Sequence, residues 1–325
     1  MDLEQLKVLI DNEYVINDYC SGKALLKLDN TILDIDRFCI PKRQKELGYR
    51  IIYKPMAESL INCLKILNTH LNQVYRPSVS ANGFVKGRGI KSNAEKHLAK
   101  KYILGIDIRN FFETITDGMI VETLEQHGFD STIALSISKI VTINGFLVQG
   151  FHTSPTLANM IFNKLDLIFE QLDDNITYSR YADDLTFSSD AEIKLLPEII
   201  KIIEEAGFSI NERKSKIMKR GQNQYVTGLT VFDNQYPRIA KRIKKKLRLE
   251  VYYINKYGLR NHTLKKFNVN WRDFFGDPVV RKKIESAEND IHDYIYGWLV
   301  FINGIEPKFA EKCFALLRTK KIDTN

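Results

Sequence analysis

The stretch YSRYADDLTF, residues 178–187, sets two adjacent carboxylates, Asp183 and Asp184, between two short runs of aromatic and β-branched residues. Such runs favour strands and aspartate is a common turn residue, so the pattern predicts a β-hairpin with both acids at its tip. A pair of acids in a turn is most often only solvated. Whether these two take part in chemistry therefore depends on what else the fold brings to them.

A second predicted strand, YILGIDI at residues 102–108, carries a third acid, Asp107. The residues before Asp107 are apolar apart from Gly105, which is typical of a buried central strand. A carboxylate beside a core has to pair with a cation or bind a metal. Three carboxylates that meet raise one another's pKa unless divalent ions neutralise them. The three acids therefore predict a site for two Mg²⁺ about 3.5–4 Å apart, which would activate a primer hydroxyl and stabilise the leaving pyrophosphate.

Seven motifs along the chain resemble, in their order, the motifs of reverse transcriptases. They are RIIYKP at 50–55, NAEKH at 93–97, Asp107, QGFHTSP at 149–155, YADD at 181–184, GFSIN at 207–211 followed by Lys214 and Lys216, and VTG at 226–228. The NAxxH and VTG motifs resemble the signatures of bacterial retron reverse transcriptases, and GWLVFI at 297–302 resembles the end of a retron thumb. One departure is Phe151-His152, where retron enzymes commonly have Ala-Pro. This difference leaves open the shape of the pocket behind the nucleotide.

The resemblance implies an α+β fold of the right-hand polymerase type, with an antiparallel palm sheet. A chain of 325 residues exceeds the usual size of one core, so several subdomains that share a cleft are expected. Residues 3–12 read as a helix, 255–278 as an irregular connection and 287–303 as a closing helix. The expected domains are an N-terminal helical segment at 1–39, fingers and palm at 40–236, and a basic helical thumb at 237–325.

The same resemblance assigns residues to the site. Asp107, Asp183 and Asp184 would be the catalytic residues and would hold two Mg²⁺, with Ile108 as a further ligand beside Asp107. The residues expected at the incoming dNTP are Arg50, Phe112, Gln149, Gly150 and Lys214.

Several of these nucleotide contacts have an alternative. Arg50 either forks over the phosphates or forms a surface ion pair. Phe112 stands at the steric-gate position, where an aromatic wall would exclude the ribose 2′-hydroxyl and favour dNTPs over rNTPs. Either phenylalanine of the pair could instead pack in the core, for which Phe111 is the better candidate. Lys214 or Lys216 either approaches the triphosphate and protonates pyrophosphate, or is solvated.

The formal charge of +8 indicates a polyanionic partner. Residues 238–248 carry seven cations and no acid above an apolar stripe, which predicts a helix with one packed face and one basic face. Such a face would neutralise template–primer phosphates, or is merely solvated. The glycine-rich basic loop at 83–89 either approaches a template phosphate chain or is a plain loop.

Asn93 and His97 stand four residues apart at the start of a predicted helix. Their retron resemblance suggests either recognition of the family's structured RNA or support of the palm. The predicted RNA and DNA contacts are Asn93, His97, Arg238, Lys241, Arg242, Lys245 and Arg248.

The four cysteines, Cys20, Cys39, Cys63 and Cys313, show no CxxC spacing. The sequence therefore predicts neither a zinc site nor a disulfide framework, and it fits a reducing compartment. No apolar run is long enough to span a membrane, and the first residues lack the basic start of a signal peptide. A bacterial cytoplasmic location without a membrane partner is expected.

Resemblance to retrons implies RNA-templated DNA synthesis on a dedicated structured noncoding RNA. Priming would come from an internal guanosine 2′-hydroxyl, and the product would be a branched RNA–DNA hybrid. The resemblance also implies antiphage defence with an effector on a separate chain. Two alternatives are another bacterial reverse transcriptase, of intron-encoded or abortive-infection type, and an RNA-binding scaffold that kept the polymerase fold without turnover. The sequence does not fix the template, the effector or the oligomeric state.

Overall fold

The computed structural model describes residues 14–18, 33–42 and 48–318. The chain divides into two compact units between Gln222 and Asn223, earlier than the predicted thumb boundary at 236. The helix predicted for residues 3–12 lies outside the described residues. No helix in the described part of the chain combines the length and the apolar character needed to cross a membrane.

The first unit is built from nine strands and seven helices in its described residues. In chain order they are β1 (Tyr14–Asp18), β2 (Leu33–Pro41), β3 (Tyr49–Pro55), α1 (Glu58–Val74), α2 (Ile90–Glu95), β4 (Tyr102–Asp107), α3 (Phe111–Thr114), α4 (Asp117–Gln126), α5 (Ser131–Val141), β5 (Thr142–Ile143), β6 (Phe146–Leu147), α6 (Ser154–Glu170), β7 (Thr177–Tyr181), β8 (Asp184–Ser189), α7 (Leu196–Glu205) and β9 (Lys216–Lys219).

The central sheet of this unit has the strand order β7-β8-β4-β9, and every neighbouring pair is antiparallel. β4 is the strand predicted at residues 102–108, and β7 with β8 is the predicted hairpin. Both predictions are confirmed. Helices combined with an antiparallel sheet confirm the α+β class of a right-hand polymerase.

The core of the first unit joins the sheet to α6. Leu104 and Ile106 of β4 are buried together with Leu157, Phe162 and Leu165 of α6. Pro155 in the first turn of α6 suits a helix start, because its fixed φ is helical and the missing N–H has no partner there anyway. Burial of each such side chain contributes about 1.5–3 kcal/mol, so this core fixes the strands that carry the acids.

The N-terminal part of the chain differs from its prediction. A three-stranded sheet contains β1, β2 and β3 in that order, so the expected helical segment at 1–39 is wrong for residues 14–18 and 33–39. In LDIDRFCI at 33–40, the first four letters alternate apolar and polar residues, which is the period of a strand. β2 pairs antiparallel with β3, the strand that contains RIIYKP. Cys39 on β2 is disulfide-bonded, although the spacing of the cysteines predicts no disulfide framework.

Up to residue 318, where its described part ends, the second unit contains two short strands followed by five helices. They are β10 (Tyr225–Val226), β11 (Leu229–Thr230), α8 (Lys241–Tyr257), α9 (Leu259–Lys266), α10 (Trp271–Gly276), α11 (Pro278–Asn303) and α12 (Pro307–Arg318). The VTG motif forms the tight turn between β10 and β11. Thr227 and Gly228 have φ values of 47° and 82°, the left-handed pair that closes a two-residue hairpin.

Among the described residues of the second unit, two small clusters of buried side chains join the helices. Val251 of α8 packs with residues of α11 and α12, among them Ile295 and Cys313. The irregular connection predicted at 255–278 is wrong, because α9 and α10 fill it. Buried Phe274 anchors them in a cluster with Leu264 and Ile284. The closing helix begins earlier than predicted because the Asp277 side chain accepts hydrogen bonds from the N–H groups of the first turn of α11.

Candidate active site

A two-residue turn joins β7 to β8, because Tyr181 pairs directly with Asp184 and only Ala182 and Asp183 lie between them. Ala182 has a φ of 56°, in the left-handed region, which costs a residue with a Cβ about 1–2 kcal/mol. The buried guanidinium of Arg180 donates to the carbonyl oxygen of Ala182 at 3.1 Å. The acidic turn is therefore strained and is held from within its own hairpin.

Asp107, the last residue of β4, lies directly opposite Asp184 of β8. Opposed residues of antiparallel strands have Cβ atoms about 4.5–5.5 Å apart on the same face. The Ile108 N–H donates to the carbonyl oxygen of Asp183 at 2.9 Å, which ties the turn to the end of β4. The structure thus brings Asp107, Asp183 and Asp184 together at one end of the sheet.

Crowding of these acids perturbs their protonation. Burial raises the pKa of Asp183, and the charge of Asp107 adds to the rise. Burial and the charges of Asp183 and Asp107 raise the pKa of Asp184 to about 6, although its side chain still reaches solvent. Lys214 supplies a counter-charge, with Nζ 3.1 and 2.8 Å from the two carboxylate oxygens of Asp107. Lys214 and not Lys216 is therefore the motif lysine that reaches the acids.

The acids fit a divalent cation by their chemistry. Among the described residues, no three His, Cys, Asp or Glu side chains are arranged as a ready-made metal site. The donors are nonetheless all carboxylate oxygens, the ligands that Mg²⁺ prefers. A bound cation would relieve the repulsion that raises the pKa values of Asp183 and Asp184. Lys214 contacts both oxygens of Asp107, so a cation bound by Asp107 would lie close to this ammonium and repel it.

Two of the predicted nucleotide-binding motifs are joined through their backbones. The Tyr53 N–H of the RIIYKP strand donates to the Gln149 carbonyl oxygen at 2.8 Å. Gly150 has a φ of 114°, and a Cβ at this position would overlap the carbonyl oxygen of Tyr53, so only glycine fits. Arg50 is exposed on the same strand, and its charge acts to lower the pKa of Asp183. Gln149 donates to Glu113 at 3.0 Å.

The two phenylalanines after Asp107 have different environments. Phe111 is buried against Phe162 and Phe208, as the sequence predicted for the core residue of the pair. Phe112 is half-buried and packs edge-to-face against Phe84 of the glycine-rich loop. At the departure from the retron pattern, Phe151 is buried and fills core space, whereas His152 is exposed.

Sequence reasoning missed a buried polar cluster under the acidic turn. Arg180 binds Asp166 through two hydrogen bonds of 2.8 and 2.6 Å, and both side chains are fully buried. Arg180 also donates to Asn159 at 2.9 Å, and Asn159 donates to the carbonyl oxygen of Gly83 at 2.9 Å. A Cβ on Gly83 would overlap the backbone of Ala182. An aspartate on the largely apolar α6 was the signal that could have revealed this cluster.

The structure corrects the assignment of Asn93 and His97 as RNA contacts. Both side chains are fully buried, so neither is available to a nucleic acid. His97 lies within 2.7 Å of the hydroxyl groups of Ser179 and Ser188, and Ser179 donates to Asn93 at 2.8 Å. The sequence left open whether these residues recognise RNA or support the palm, and their buried contacts favour support of the palm.

Of the predicted basic face, one member lies outside the helix. The backbone of Arg238 pairs with Thr230, so α8 begins only at Lys241. The Arg238 side chain binds Asp233 at 2.7 Å, so its predicted phosphate contact would compete with this ion pair. The other four predicted phosphate contacts are exposed on α8, and none of them forms an ion pair among the described residues. They are Lys241, Arg242, Lys245 and Arg248.

Comparison with known proteins agrees with this arrangement. Residues 40–245 match the family model described as reverse transcriptase (RNA-dependent DNA polymerase). The retron Ec86 reverse transcriptase of Escherichia coli is 30% identical over 222 residues, which cover 67% of this chain and 69% of that protein. The retron Mx65 reverse transcriptase of Myxococcus xanthus is 31% identical over 218 residues, 60% of this chain, and the match spans only 50% of its length.

Among solved structures, telomerase from Candida albicans in complex with a fragment of telomeric RNA is similar at a TM-score of 0.45. The identity is 12%, and the match covers 90% of this chain and 62% of that one. This likeness is too distant to bear on function. The family match extends over more than half of the chain and includes all three aspartates, and the Escherichia coli relative aligns over two thirds of its own length. The chain therefore belongs to the retron reverse transcriptases.

Proposed function

We propose that this chain copies RNA into DNA as the polymerase of a retron in the bacterial cytoplasm. The observation that carries the proposal is the strand register that sets Asp107 opposite Asp184, with Asp183 in the adjoining turn. Such a set of carboxylates suits nucleotide transfer, because catalysis of phosphoryl transfer is mainly positioning and charge stabilisation. In this transfer the primer hydroxyl oxygen bonds to the α-phosphorus of a dNTP as the bond to pyrophosphate breaks.

Asp107, Asp183 and Asp184, with the backbone of Ile108, would hold two Mg²⁺. When bound, these ions lower the pKa of a primer hydroxyl and neutralise charge on pyrophosphate. The raised pKa values of Asp183 and Asp184 support this role, because they mark carboxylates that lack sufficient counter-charge. Release from Asp107 would leave the Lys214 ammonium available to the triphosphate or to the departing pyrophosphate.

The remaining nucleotide contacts come from neighbouring segments of the same unit. Arg50 supplies a guanidinium for phosphate oxygens, and its effect on Asp183 supports that placement. Phe112 serves as the wall that excludes a ribose 2′-hydroxyl, which favours dNTPs. Gln149 and Gly150 shape the pocket by docking on Tyr53. Lys241, Arg242, Lys245 and Arg248 bind template–primer phosphates, so affinity falls with added salt.

The names of the relatives support a retron role for the whole protein. On this proposal the template is a dedicated structured noncoding RNA, and an internal guanosine 2′-hydroxyl is the primer. The product is single-stranded DNA joined to RNA at a branch. Antiphage defence would then follow from a separate effector protein that responds to the state of this complex.

A primer-extension assay with an RNA template, a DNA primer and dNTPs tests the polymerase proposal. Asp183→Asn should lower the rate of nucleotide addition by about 10³-fold or more, since a lost metal ligand removes several kcal/mol of transition-state stabilisation. The affinity for RNA should stay within about twofold, because no phosphate contact is removed. Asp174→Asn is the matched control, an exposed aspartate in the turn before β7. Full activity of Asp183→Asn would overturn the assignment of the acids.

Nucleic acid purified with the tagged protein from its native host tests the retron proposal separately. The expected species is DNase-sensitive and shortens after both RNase and debranching treatment. Its sequence would identify the template RNA. Linear DNA alone would move the assignment to another branch of reverse transcriptases, and RNA alone would favour the scaffold without turnover.

A further inference from the structure

His97 connects the two strands of the catalytic hairpin on the face opposite Arg180. Its Nε2 lies 2.7 Å from the hydroxyl of Ser179 on β7, and its Nδ1 lies 2.7 Å from the hydroxyl of Ser188 on β8. Ser179 pairs across the hairpin with Thr186, two residues from Ser188, so the two serines are diagonal neighbours on one face. One imidazole ring therefore spans the hairpin.

The hydrogen bonds of this group run in one direction. The Ser179 hydroxyl donates its single proton to the side-chain oxygen of Asn93 at 2.8 Å. Ser179 must then accept from His97, which places the ring proton on Nε2. Because full burial keeps the imidazole neutral, Nδ1 carries no proton and accepts from the Ser188 hydroxyl.

Both serines stand at equal distances from the acidic turn. Ser179 lies four residues before Asp183, and Ser188 lies four residues after Asp184. Ser188 also pairs with Ile103 of β4, in the same ladder that sets Asp184 opposite Asp107. A slip of one residue in this ladder would turn Asp184 to the other face of the sheet. The position of His97 is thus linked through two strands to the position of the acids.

Resting on the function proposed above, we infer that Asn93 and His97 are positioning residues for the catalytic aspartates. They fix the register of β7 and β8 that brings Asp183 and Asp184 to Asp107. The NAxxH motif acts on the cation-binding end of the hairpin through Ser179 and Ser188, and it makes no contact with RNA.

Binding of Mn²⁺ to the protein, followed by the electron paramagnetic resonance signal of the free ion, tests this inference without any need for turnover. His97→Gln keeps a polar side chain but cannot bridge both serines. We expect Mn²⁺ affinity to fall by about tenfold, the low end of what loss of groups that orient metal ligands costs. His70→Gln is the matched control, since His70 is exposed on α1. Unchanged Mn²⁺ affinity in His97→Gln would overturn the inference.

Single-turnover nucleotide addition and RNA affinity, measured on the same variants, separate positioning from other roles. Misplacement of the acids should slow addition by roughly 10²-fold and shift the Mg²⁺ midpoint upward. RNA affinity should stay within about twofold, since Asn93 and His97 have no access to phosphates. A tenfold loss of RNA affinity at an unchanged rate would show RNA recognition instead. An unchanged rate and midpoint per active molecule would show a purely structural role.

If His97→Gln does not fold, Ser188→Ala tests the same chain of bonds by removing one hydroxyl group. It should reproduce the direction of each effect, and unchanged Mn²⁺ binding in folded Ser188→Ala would also contradict the inference. Failure of the wild-type protein to extend any primer would count against the proposed function alone. The Mn²⁺ comparison would still decide the positioning role.

Discussion

The two sides of the catalytic hairpin differ in how their polar groups are paired. On the core side, Arg180 and Asp166 are fully buried and form a two-bonded ion pair. On the open side, Asp183 and Asp184 have raised pKa values, and the Lys214 ammonium contacts Asp107. The charges on the core side are paired within the protein, whereas the acids on the open side outnumber the cations that contact them.

A rigid buried ion pair and a set of reactive carboxylates therefore lie within a few residues of each other in the hairpin. A buried ion pair that is fully hydrogen-bonded holds one arrangement, since its partners have no alternative in the core. Crowded carboxylates near solvent favour the arrival of a cation. The strained turn at Ala182 joins the two sides, because Arg180 holds the Ala182 carbonyl oxygen while the next residue is the first acid. Changes on either side should thus have distinguishable effects.

The largest effect on stability is expected from the core side. Arg180→Met leaves the charge of Asp166 buried without its cation, which should lower the free energy of unfolding by about 3–5 kcal/mol. Urea unfolding followed by circular dichroism measures this loss. Lys201→Met is the control, because Lys201 pairs with Glu205 on the exposed surface of α7 and should cost at most about 1 kcal/mol.

A double variant sharpens the same comparison. Arg180→Met with Asp166→Leu removes both charges and should recover part of the lost stability, because no buried charge is then left unpaired. Equal losses in the single and double variants would contradict the ion-pair account of the core side. Nucleotide addition should remain impaired in both variants, since the Ala182 carbonyl oxygen loses its donor.

The next largest effect is expected on the rate of nucleotide addition, from loss of the Lys214 ammonium on the open side. Lys214→Met should slow nucleotide addition by roughly 10²-fold, the low end of a proton donor's contribution. Lys216→Met is the matched control, two residues away and exposed on β9. Single-turnover rates with saturating dNTP measure both variants. Equal rates for the two variants would contradict a role of Lys214 at the acids.

Sugar selectivity should respond to the aromatic wall beside the acids. Phe112→Ala should raise the relative efficiency of rNTP over dNTP incorporation by about 10- to 100-fold, because a clash worth about 1–3 kcal/mol is removed. The ratio of kcat/KM for dCTP and CTP on one template is the measurement. Phe146→Ala, an exposed phenylalanine on β6, serves as control. Unchanged selectivity in Phe112→Ala would remove Phe112 from the sugar contact.

The smallest effect is a pH dependence of stability that arises at the buried imidazole of His97. Burial, with the charges of Lys96 and Lys100, lowers the pKa of His97 from 6.5 to about 3. Between these values the unfolded chain binds more protons at this residue than the folded protein. Stability should therefore fall as pH drops below about 6.5, by at most about 1.4 kcal/mol per pH unit from this group.

Urea unfolding at pH 7, 6 and 5 compares wild type with His97→Gln. The variant should lose less stability on acidification, because Gln cannot titrate. His70→Gln is the exposed control and should behave as wild type. An identical pH dependence in wild type and His97→Gln would contradict a buried neutral imidazole.

Local sequence patterns were sufficient to predict the acids of the open side and the strands and turn that carry them. The apolar run that ends in Asp107 and the acids within YADD predicted strands and a turn, and the observed register brings these acids together. The core side escaped prediction, because the partner of a buried Arg180 depends on which helix packs beneath β7. The burial of His97 was likewise not predictable from the local sequence, because its ring lies between two serines of different strands.

Elsewhere, pairing and packing over longer distances decided the outcome. The alternation in LDIDRFCI was present in the sequence, but only its pairing with β3 shows it to be a strand. In the second unit, Phe274 gives α10 a buried anchor inside a stretch whose polar and aromatic letters suggest a loop. Arg238 appeared to continue a basic helix, yet its backbone pairs with Thr230.

We expect divalent cations to complete the open side of the hairpin. Anomalous diffraction from crystals of the protein with template–primer, a dNTP and Mn²⁺ would test this expectation most directly. Two Mn²⁺ should lie about 3.5–4 Å apart, bound by Asp107, Asp183 and Asp184, with the Lys214 ammonium moved away from Asp107. Mn²⁺ bound elsewhere, with Lys214 still paired to Asp107 in the presence of dNTP, would contradict it.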